Sequence, residues 1–173
     1  MSELQVVCSE QCIRSAVERL ACEIRSDYQD KNPLLIGVLK GVFVFMADLV
    51  RSLNMPLEVE FVRLSSYGYG RTESSGDVKV IHGLESGIEG RHVLVVEDIV
   101  DEGRTLDHLL RYLNEQKPAS LKVCALFNKP SRRQVPVNID YLGLTIPNVF
   151  VVGCGLDYDE KFRYFPDLRC LDD

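Results

Sequence analysis

The fold is decided by the stretch His92-Val-Leu-Val-Val-Glu-Asp-Ile-Val-Asp-Glu-Gly-Arg-Thr-Leu106. Its apolar start, residues 93–96, predicts a buried strand. Two adjacent carboxylates, Glu97 and Asp98, end this strand, and the chain then turns through Gly103 into a helix. In open α/β sheets, ligands bind beyond the carboxyl ends of the strands. The stretch therefore predicts an α/β fold and also the sheet edge at which a ligand would lie.

The acids of this stretch indicate a ligand rather than a solvated turn. Glu97, Asp98 and Asp101 lie so close together that their charges repel unless a cation or a hydrogen-bond donor lies among them. Sugar hydroxyls and Mg²⁺ are both suitable partners. The backbone N–H groups of residues 101–105 should face one concavity with the helix dipole behind them, and Thr105 adds a hydroxyl donor. We therefore expect carboxylates for a ribose-like diol beside amides for a phosphate.

Several common sites are missing from the sequence. It contains neither Gly-x-x-x-x-Gly-Lys-[Ser/Thr] nor Gly-x-Gly-x-x-Gly, so neither a P-loop nor a dinucleotide-binding turn is expected. The cysteines form no Cys-x-x-Cys pair and the three histidines are scattered, so a zinc site is not expected either.

The rest of the chain alternates short apolar strands with helices, which is typical of an α/β domain with a mostly parallel sheet. The apolar patterns predict helices at residues 9–28, 42–53 and 104–116, and strands at residues 34–39, 57–64, 77–82, 92–96, 121–127, 139–144 and 149–152. Residues 65–76 are rich in Ser, Gly and Tyr and should form a flexible loop. Helix 42–53 begins with a turn that is apolar on every side, which favours burial against another subunit.

Composition bounds the class of protein. With 173 residues, 46% of them hydrophobic, the chain is expected to form a single domain over residues 1–173. A net charge of −6 argues against a general nucleic-acid binder. No apolar run is long enough for a membrane span, and residues 1–10 do not resemble a secretory signal. We therefore expect a cytoplasmic protein whose six cysteines are reduced.

Five pieces of the sequence carry a resemblance to a known family, and they occur in the family's order. They are Leu39-Lys40-Gly41, Ser66-Tyr67-Gly68, the stretch 92–106, Lys129-Pro130, and Phe150-Val-Val-Gly with Leu156-Asp-Tyr-Asp-Glu-Lys-Phe-Arg163. Together they resemble the type I phosphoribosyltransferases, and the C-terminal piece resembles the hypoxanthine-guanine branch of that family. The resemblance implies a mostly parallel central sheet flanked by helices. It also implies a small base-binding hood from the N-terminal and C-terminal segments, and the flexible loop at about residues 65–76.

The resemblance assigns the central stretch to the phosphoribosyl group. Glu97 and Asp98 would contact the ribose hydroxyls, directly or through Mg²⁺. Asp101 would lie beside N7 of the purine as the general base. The phosphate loop would hold the 5′-phosphate, and its residues are Asp101, Glu102, Gly103, Arg104 and Thr105.

The resemblance assigns the other pieces to pyrophosphate, metal and purine. Lys40, Gly41 and Arg163 would bind pyrophosphate, and the family often has a cis peptide bond before this lysine. Mg²⁺ is the implied cofactor, with Glu97, Asp98 and Asp157 as its ligands. The purine-binding residues would be Lys129, Phe150, Val151 and Asp157. Ser66 and Tyr67 would belong to the flexible loop that closes over the site. By sequence pattern alone, Lys129 would be a solvated loop lysine and Phe150 a core residue.

Glu102 departs from the family pattern, which usually has a hydroxyl residue at this place. A carboxylate only accepts hydrogen bonds and would repel a phosphate. We expect Glu102 to turn outward, so that the backbone amides hold the phosphate unaided and the substrate binds more weakly.

The implied activity is the Mg²⁺-dependent transfer of phosphoribosyl from 5-phosphoribosyl 1-pyrophosphate to hypoxanthine or guanine in purine salvage. The substrates would be a 6-oxopurine and phosphoribosyl pyrophosphate, with no nucleic acid and no membrane as partners, and the protein would be a homodimer or homotetramer. One alternative is an enzyme that prefers xanthine or guanine. The other is an RNA-binding regulator of pyrimidine genes with this fold, against which the net charge of −6 argues.

Overall fold

The computed structural model describes residues 4–66 and 78–171. Its helices are α1 (Glu10–Tyr28), α2 (Phe43–Leu53) and α3 (Arg104–Asn114). Its strands are β1 (Gln5–Cys8), β2 (Leu34–Leu39), β3 (Glu58–Ser66), β4 (Val78–His82), β5 (His92–Val100), β6 (Ser120–Asn128), β7 (Tyr141–Thr145), β8 (Val151–Val152) and β9 (Leu168–Cys170). A single turn of 3₁₀ helix, Pro130–Arg132, follows β6.

The central sheet has six strands in the order β4-β3-β2-β5-β6-β7. Five strands are parallel to one another, namely β2, β3, β5, β6 and β7. The edge strand β4 pairs with β3 in the antiparallel sense. The prediction of a mostly parallel sheet is confirmed. The carboxyl ends of β2, β5 and β6 consequently meet at one edge, which is where ligands of such sheets bind.

Helices cover both faces of this sheet. Alternate residues of β5 point to opposite faces, so Leu94 and Val96 pack in the cluster that contains α1 and α2, whereas Val93 and Val95 pack in the cluster that contains α3. Burial on both faces explains why the start of β5 is apolar throughout rather than alternating.

The first predicted helix is confirmed, and a side chain caps its start. Ser9 is the N-cap of α1, and its hydroxyl accepts a hydrogen bond from the Cys12 amide at 3.2 Å. Near the other end, the Arg25 guanidinium donates to the carbonyls of Ser52 and Leu53. Those bonds satisfy carbonyls at the end of α2 and hold the two helices together.

β5 is longer than predicted. The apolar pattern predicted a strand that ends at residue 96, but in the structure this strand continues to Val100. Pairing with β2 stops at Val96, opposite Gly37, whereas pairing with β6 continues to Val100, opposite Asn128. Glu97 and Asp98 therefore lie inside β5, where it pairs with β6 but not with β2, and not at the end of the strand as we predicted.

A second sheet joins the two ends of the chain. It contains β1, β9 and β8 in that order, and both pairings are antiparallel. The prediction that the strand near residue 150 was the last one is wrong, because β9 follows it. The sheet lies where the hood is expected, and base binding by that hood stays a prediction.

Several predicted boundaries also need correction. α3 ends at Asn114, two residues early, and β7 begins at Tyr141 rather than at residue 139. β3 extends to Ser66, so the first two residues of the predicted flexible loop belong to a strand. The rest of that loop, including Tyr67, lies outside the described residues. In the described part of the chain, no helix has the length and apolar character needed to cross a bilayer.

Candidate active site

A cavity of about 380 Å³ opens at the carboxyl ends of β2 and β5. Its walls are the end of β2, the turn before α2, the second half of β5 and the loop before α3. The cavity brings together residues that the resemblance assigns to phosphoribosyl pyrophosphate, namely Lys40, Gly41, Glu97, Asp98, Asp101, Glu102, Gly103, Arg104 and Thr105.

A larger cleft, of about 540 Å³, lies between α1 and α2. Four of its charged side chains are paired on their own helices, since Arg14 binds Glu10 at 2.9 Å and Arg51 binds Asp48. It is also away from the carboxyl ends of the strands. We therefore place the candidate site in the smaller cavity.

Two adjacent carboxylates, Glu97 and Asp98, line this cavity, and the two residues expose only 7% and 9% of their surface. Burial, followed by the neighbouring Asp98 charge, raises the pKa of Glu97 well above its ordinary value. Burial also raises the pKa of Asp98, although hydrogen bonds from backbone amides and the Arg163 guanidinium act in the opposite direction. Such a pair favours a cation or a hydrogen-bond donor as ligand.

The turn before α2 approaches Asp98 without a side chain between them. A Cβ added to Gly41 would lie 1.9 Å from Oδ2 of Asp98, so only glycine allows this contact. The peptide bond between Leu39 and Lys40 is cis, as the resemblance implies. The predicted pyrophosphate turn thus lies directly against the predicted ribose acids.

The loop before α3 presents backbone amides to the cavity. Gly103, with φ of 87°, is the N-cap of α3, and this left-handed conformation suits glycine. Within the described ranges, the amides of Asp101, Glu102 and Gly103 donate to no other atom. Free amides at a helix N-terminus form a site for an anion such as a phosphate.

Two arginines that the sequence analysis missed hold this loop in place. The Arg133 guanidinium donates to the carbonyl of Asp101 at 2.9 Å, and it also bonds to the carbonyl of Val100 and to the side chain of Asn128. Arg132 also lies beside this loop, with its Nε atom 3.5 Å from Oδ1 of Asp101. The only signal in the sequence was two adjacent arginines beside Lys129-Pro130, and that pattern alone is typical of a solvated loop.

The carboxylate of Asp101 has one oxygen atom without a hydrogen-bond donor. Its Oδ1 atom is buried and lacks a hydrogen bond, although Arg132 is close enough for an ion pair. A buried acceptor without a donor is costly unless a ligand completes it. The Oδ1 atom of Asp101 could therefore accept a hydrogen bond from a ligand.

Glu102 is only partly outward. Its side chain is 40% exposed and lies between two guanidinium groups, at 3.6 Å from Arg132 and 3.9 Å from Arg104. The carbonyl of Glu102 accepts hydrogen bonds from the amides of Gln134 and Val135. Its negative charge is therefore partly neutralised, which the sequence analysis did not foresee.

The predicted purine residues lie outside the cavity lining. Lys129 is only 4% exposed and donates to the carbonyl of Val149 at 2.8 Å, so it is not a solvated loop lysine. Phe150 is 50% exposed and meets Tyr158 edge-on at 5.6 Å between ring centroids, so it is not a core residue. Val151 is buried in β8. Ser66 ends β3.

Asp157 and Arg163 reach the site from the C-terminal segment. Their side chains pair at 2.9 Å, and Arg163 also donates to the carbonyl of Gly155 at 2.8 Å. Gly155 in turn packs against Gly41, because a Cβ on Gly155 would lie 2.2 Å from the Gly41 carbonyl oxygen. Among the residues that the structure describes, no three His, Cys, Asp or Glu side chains are arranged as a metal cage.

Comparisons with known proteins agree with this geometry. The family model described as "Phosphoribosyl transferase domain" matches residues 9–159. The chain is 45% identical to the hypoxanthine-guanine phosphoribosyltransferase of Bacillus subtilis (strain 168), over 96% of this chain and 92% of that protein. It is 44% identical to the hypoxanthine phosphoribosyltransferase of Haemophilus influenzae, over 92% of this chain and 90% of that protein.

A solved structure extends the agreement to three dimensions. The crystal structure of a hypoxanthine phosphoribosyltransferase from Staphylococcus aureus matches with a TM-score of 0.92 and 39% identity, over 97% of this chain and 91% of that chain. The resemblance inferred from the sequence is therefore confirmed, as is the type I phosphoribosyltransferase fold. The protein belongs to the phosphoribosyltransferase family, in its hypoxanthine-guanine branch, and is a transferase.

Proposed function

We propose that the protein transfers the phosphoribosyl group of 5-phosphoribosyl 1-pyrophosphate to hypoxanthine or guanine, forming IMP or GMP and pyrophosphate. Hypoxanthine and guanine are the bases named in its relatives. One observation supports the proposal most directly, namely that two buried acids and a loop of free amides share one cavity. Acids suit a ribose diol and amides suit a 5′-phosphate, so the cavity matches the two ends of a ribose phosphate.

The reaction breaks the bond between C1′ and the pyrophosphate oxygen, and the electron pair leaves with pyrophosphate. The lone pair of the purine N9 forms the new bond to C1′, and the proton on N7 passes to the carboxylate of Asp101. Positive charge develops on the ribose ring, where Glu97 and Asp98 would lie, and negative charge develops on the leaving group, where Lys40 and Arg163 would lie. Stabilising such developing charges is the main contribution a protein makes to this type of transfer.

Lys129, Phe150 and Val151 would position the purine. The Lys129 ammonium has three donors and uses one for the Val149 carbonyl, so donors remain for O6 of the base. The exposed face of Phe150 would stack on the purine ring, and the main chain of Val151 would read its edge. Ser66 and Tyr67 would belong to the loop that closes over the substrates.

The residues present suit Mg²⁺ as the cofactor. In the described part of the chain, no donor forms a hydrogen bond with the Glu97 carboxylate, which is buried beside a second acid. Glu97, Asp98 and Asp157 would hold the ion together with oxygens of the substrate, because Mg²⁺ takes few protein ligands in phosphate sites. When bound, Mg²⁺ neutralises charge on the pyrophosphate group.

The test is a set of incubations with phosphoribosyl pyrophosphate, Mg²⁺ and one base at a time, chosen from hypoxanthine, guanine, xanthine, adenine and uracil. Pyrophosphate release should require hypoxanthine or guanine. Release with xanthine and guanine in preference to hypoxanthine would favour a xanthine-guanine enzyme, and release with none of the five would overturn the proposal.

We also propose a cytoplasmic homodimer or homotetramer. Cys8, Cys12, Cys22, Cys124 and Cys154 are free thiols, as in proteins of a reducing compartment. Phe43 is 47% exposed at the start of α2, and Val59 and Leu39 are more than a third exposed. Burial of these side chains against a second copy would explain the apolar start of α2. Light scattering on a sizing column would detect a monomer, which would contradict this assembly.

A further inference from the structure

The two cations assigned to pyrophosphate are both bound to one carboxylate, that of Glu160. The Lys40 ammonium lies 2.5 Å from Oε1 of Glu160, and the Arg163 guanidinium lies 3.1 Å from its Oε2. These two charges lower the pKa of Glu160, with the hydrogen bond from Lys40 as the largest cause. Glu160 is therefore an anion that spans the two side chains expected to bind the leaving group.

The backbone places Glu160 in this position. Its φ is 61°, in the left-handed region, and Asp159 and Phe162 have φ of 51° and 73°. The Glu160 amide donates to Oδ2 of Asp157 at 2.8 Å, and Tyr158 and Lys161 form two backbone hydrogen bonds across the turn. A turn held at both ends in an uncommon conformation is a sign of a functional constraint.

The surrounding contacts bring this turn to the cavity. Arg163 is only 19% exposed and also binds Asp157, while Lys40 lies in the cavity lining next to Gly41. Close packing of Gly155 on Gly41 fixes the C-terminal segment against the pyrophosphate turn. The carboxylate of Glu160 thus bridges two separate parts of the chain across the expected pyrophosphate position.

We propose that Glu160 is a resident counter-ion of the pyrophosphate subsite. In the free protein its carboxylate keeps Lys40 and Arg163 facing each other, and the pyrophosphate group displaces it on binding. This inference rests on the proposed function, which assigns those two cations to pyrophosphate.

A specific consequence follows for the selection of anions. Any anion that enters must break two ion pairs. The two phosphoryl groups of pyrophosphate can replace both pairs, one at Lys40 and one at Arg163, whereas inorganic phosphate has a single group. Glu160 therefore lowers the affinity for both anions, and inorganic phosphate, which regains fewer contacts, binds the more weakly of the two. The same residue prevents the two cations from repelling each other before substrate binds.

The experiment compares Glu160→Gln with Asp159→Asn. Both substitutions remove one negative charge from the same turn, but Asp159 is 78% exposed and, among the described residues, forms an ion pair only with Lys161, at 3.7 Å. Calorimetric titration should show that Mg²⁺-pyrophosphate binds Glu160→Gln about three- to tenfold more tightly than wild type, as expected from removing two ion pairs that share one exposed carboxylate. Inorganic phosphate should bind more tightly as well. Asp159→Asn should change both affinities by less than about twofold.

Two further variants distinguish a wrong pyrophosphate assignment from a wrong counter-ion inference. Lys40→Ala and Arg163→Ala should each weaken pyrophosphate binding. If neither does, the pyrophosphate assignment in the proposed function is wrong. If both do and Glu160→Gln binds pyrophosphate no more tightly than wild type, the counter-ion inference is overturned while the proposed function stands. Glu160→Asn suits the left-handed backbone and gives a second test if the glutamine variant is poorly folded.

Discussion

The two ends of the central sheet contain ionisable clusters in which the pKa values of the carboxylates shift in opposite directions. At the carboxyl end, Glu97 and Asp98 lie side by side with like charges, and burial raises the pKa of both. At the amino end, the Asp27 carboxylate accepts hydrogen bonds from the Tyr141 hydroxyl and from Lys122, which lower its pKa. Among the residues that the structure describes, no cation pairs with the Glu97 carboxylate of the first cluster, whereas the second cluster is neutralised by its neighbours.

This difference distinguishes a site from a structural contact. The amino-end cluster contributes to stability in the protein as it stands, because each charge there has a partner. The carboxyl-end cluster costs stability until a cation or a ribose arrives, because folding brings two carboxylates out of water beside each other. Five substitutions test this comparison, one of them a matched control, and the expected effects decrease from the first prediction to the last.

Asp101→Asn should have the largest effect, because it removes the proposed proton acceptor. The turnover number should fall by about 10²- to 10⁴-fold, the usual contribution of a general base, with KM for phosphoribosyl pyrophosphate nearly unchanged. Steady-state rates of pyrophosphate release measure both constants. Asp27→Asn at the amino end is the matched control and should keep its turnover number, and an equal loss in both variants would abolish the functional distinction between the ends.

Glu97→Gln should make the ligand-free protein more stable while it loses activity. Replacing the buried carboxylate removes a cost of about 1.4 kcal/mol for each unit by which its pKa is raised, and each kcal/mol raises Tm by roughly 2–4 °C in a domain of this size. Tyr141→Phe should do the reverse, lowering the free energy of unfolding by about 1 kcal/mol with activity retained. Thermal melts at pH 7.5 would contradict the comparison if Glu97→Gln melted below wild type.

The gain in stability from Glu97→Gln should increase as the pH rises. The folded-state pKa of Glu97 is above its ordinary value of 4.5, so the folded protein holds this proton more tightly than the unfolded chain does. Ionising it is destabilising, and the penalty grows as pH rises from 4.5 towards the folded-state pKa. The difference in Tm between variant and wild type should therefore vanish near pH 4.5 and be largest at neutral pH.

The amino end should behave differently over the same range. The pKa of Asp27 is below its ordinary value of 3.8, so its stabilising contribution is complete above that value and is lost only as pH falls through the folded-state pKa. The effect of Tyr141→Phe on Tm should stay constant between about pH 5 and 7.5. Melts of both variants across this range measure the two trends, and a shared pH dependence would contradict the assignment.

Glu102→Thr should have the smallest effect. The substitution adds a hydroxyl donor and removes a negative charge, so KM for phosphoribosyl pyrophosphate should fall. Arg132 and Arg104 already offset that charge, and the expected decrease is about two- to threefold, in line with the small energies of exposed ion pairs. An unchanged KM would show that Glu102 carries no cost for phosphate binding, contrary to our expectation.

Local patterns in the sequence predicted the elements that build the site. The apolar run of β5, the helix α1 and the glycine turn at Gly103 are each set by neighbouring residues, and each is where we expected it. The length of β5 was not predictable in the same way. It depends on how far β6 continues alongside, which is a property of two segments that are distant in sequence.

The missed features all depend on distant contacts. β1 is a short strand whose partner, β9, lies at the opposite end of the chain, so neither has a local signal beyond a few apolar residues. Arg133 acts through carbonyls of β5 and its following loop, and guanidinium-to-carbonyl bonds leave no spacing pattern in a sequence. Lys129 and Phe150 needed the resemblance for the same reason, since only the fold decides which is buried and which is exposed.

The contact of Gly41 with Asp98 and Gly155 has a consequence for drug resistance. A methyl group at either glycine would collide with an oxygen atom, at 1.9 Å and 2.2 Å respectively. An inhibitor that relies on the main chain at these two positions would therefore contact a surface that point mutation cannot reshape without disrupting the site. Resistance would have to arise at the exposed side chains around it, where substitutions are easier to tolerate.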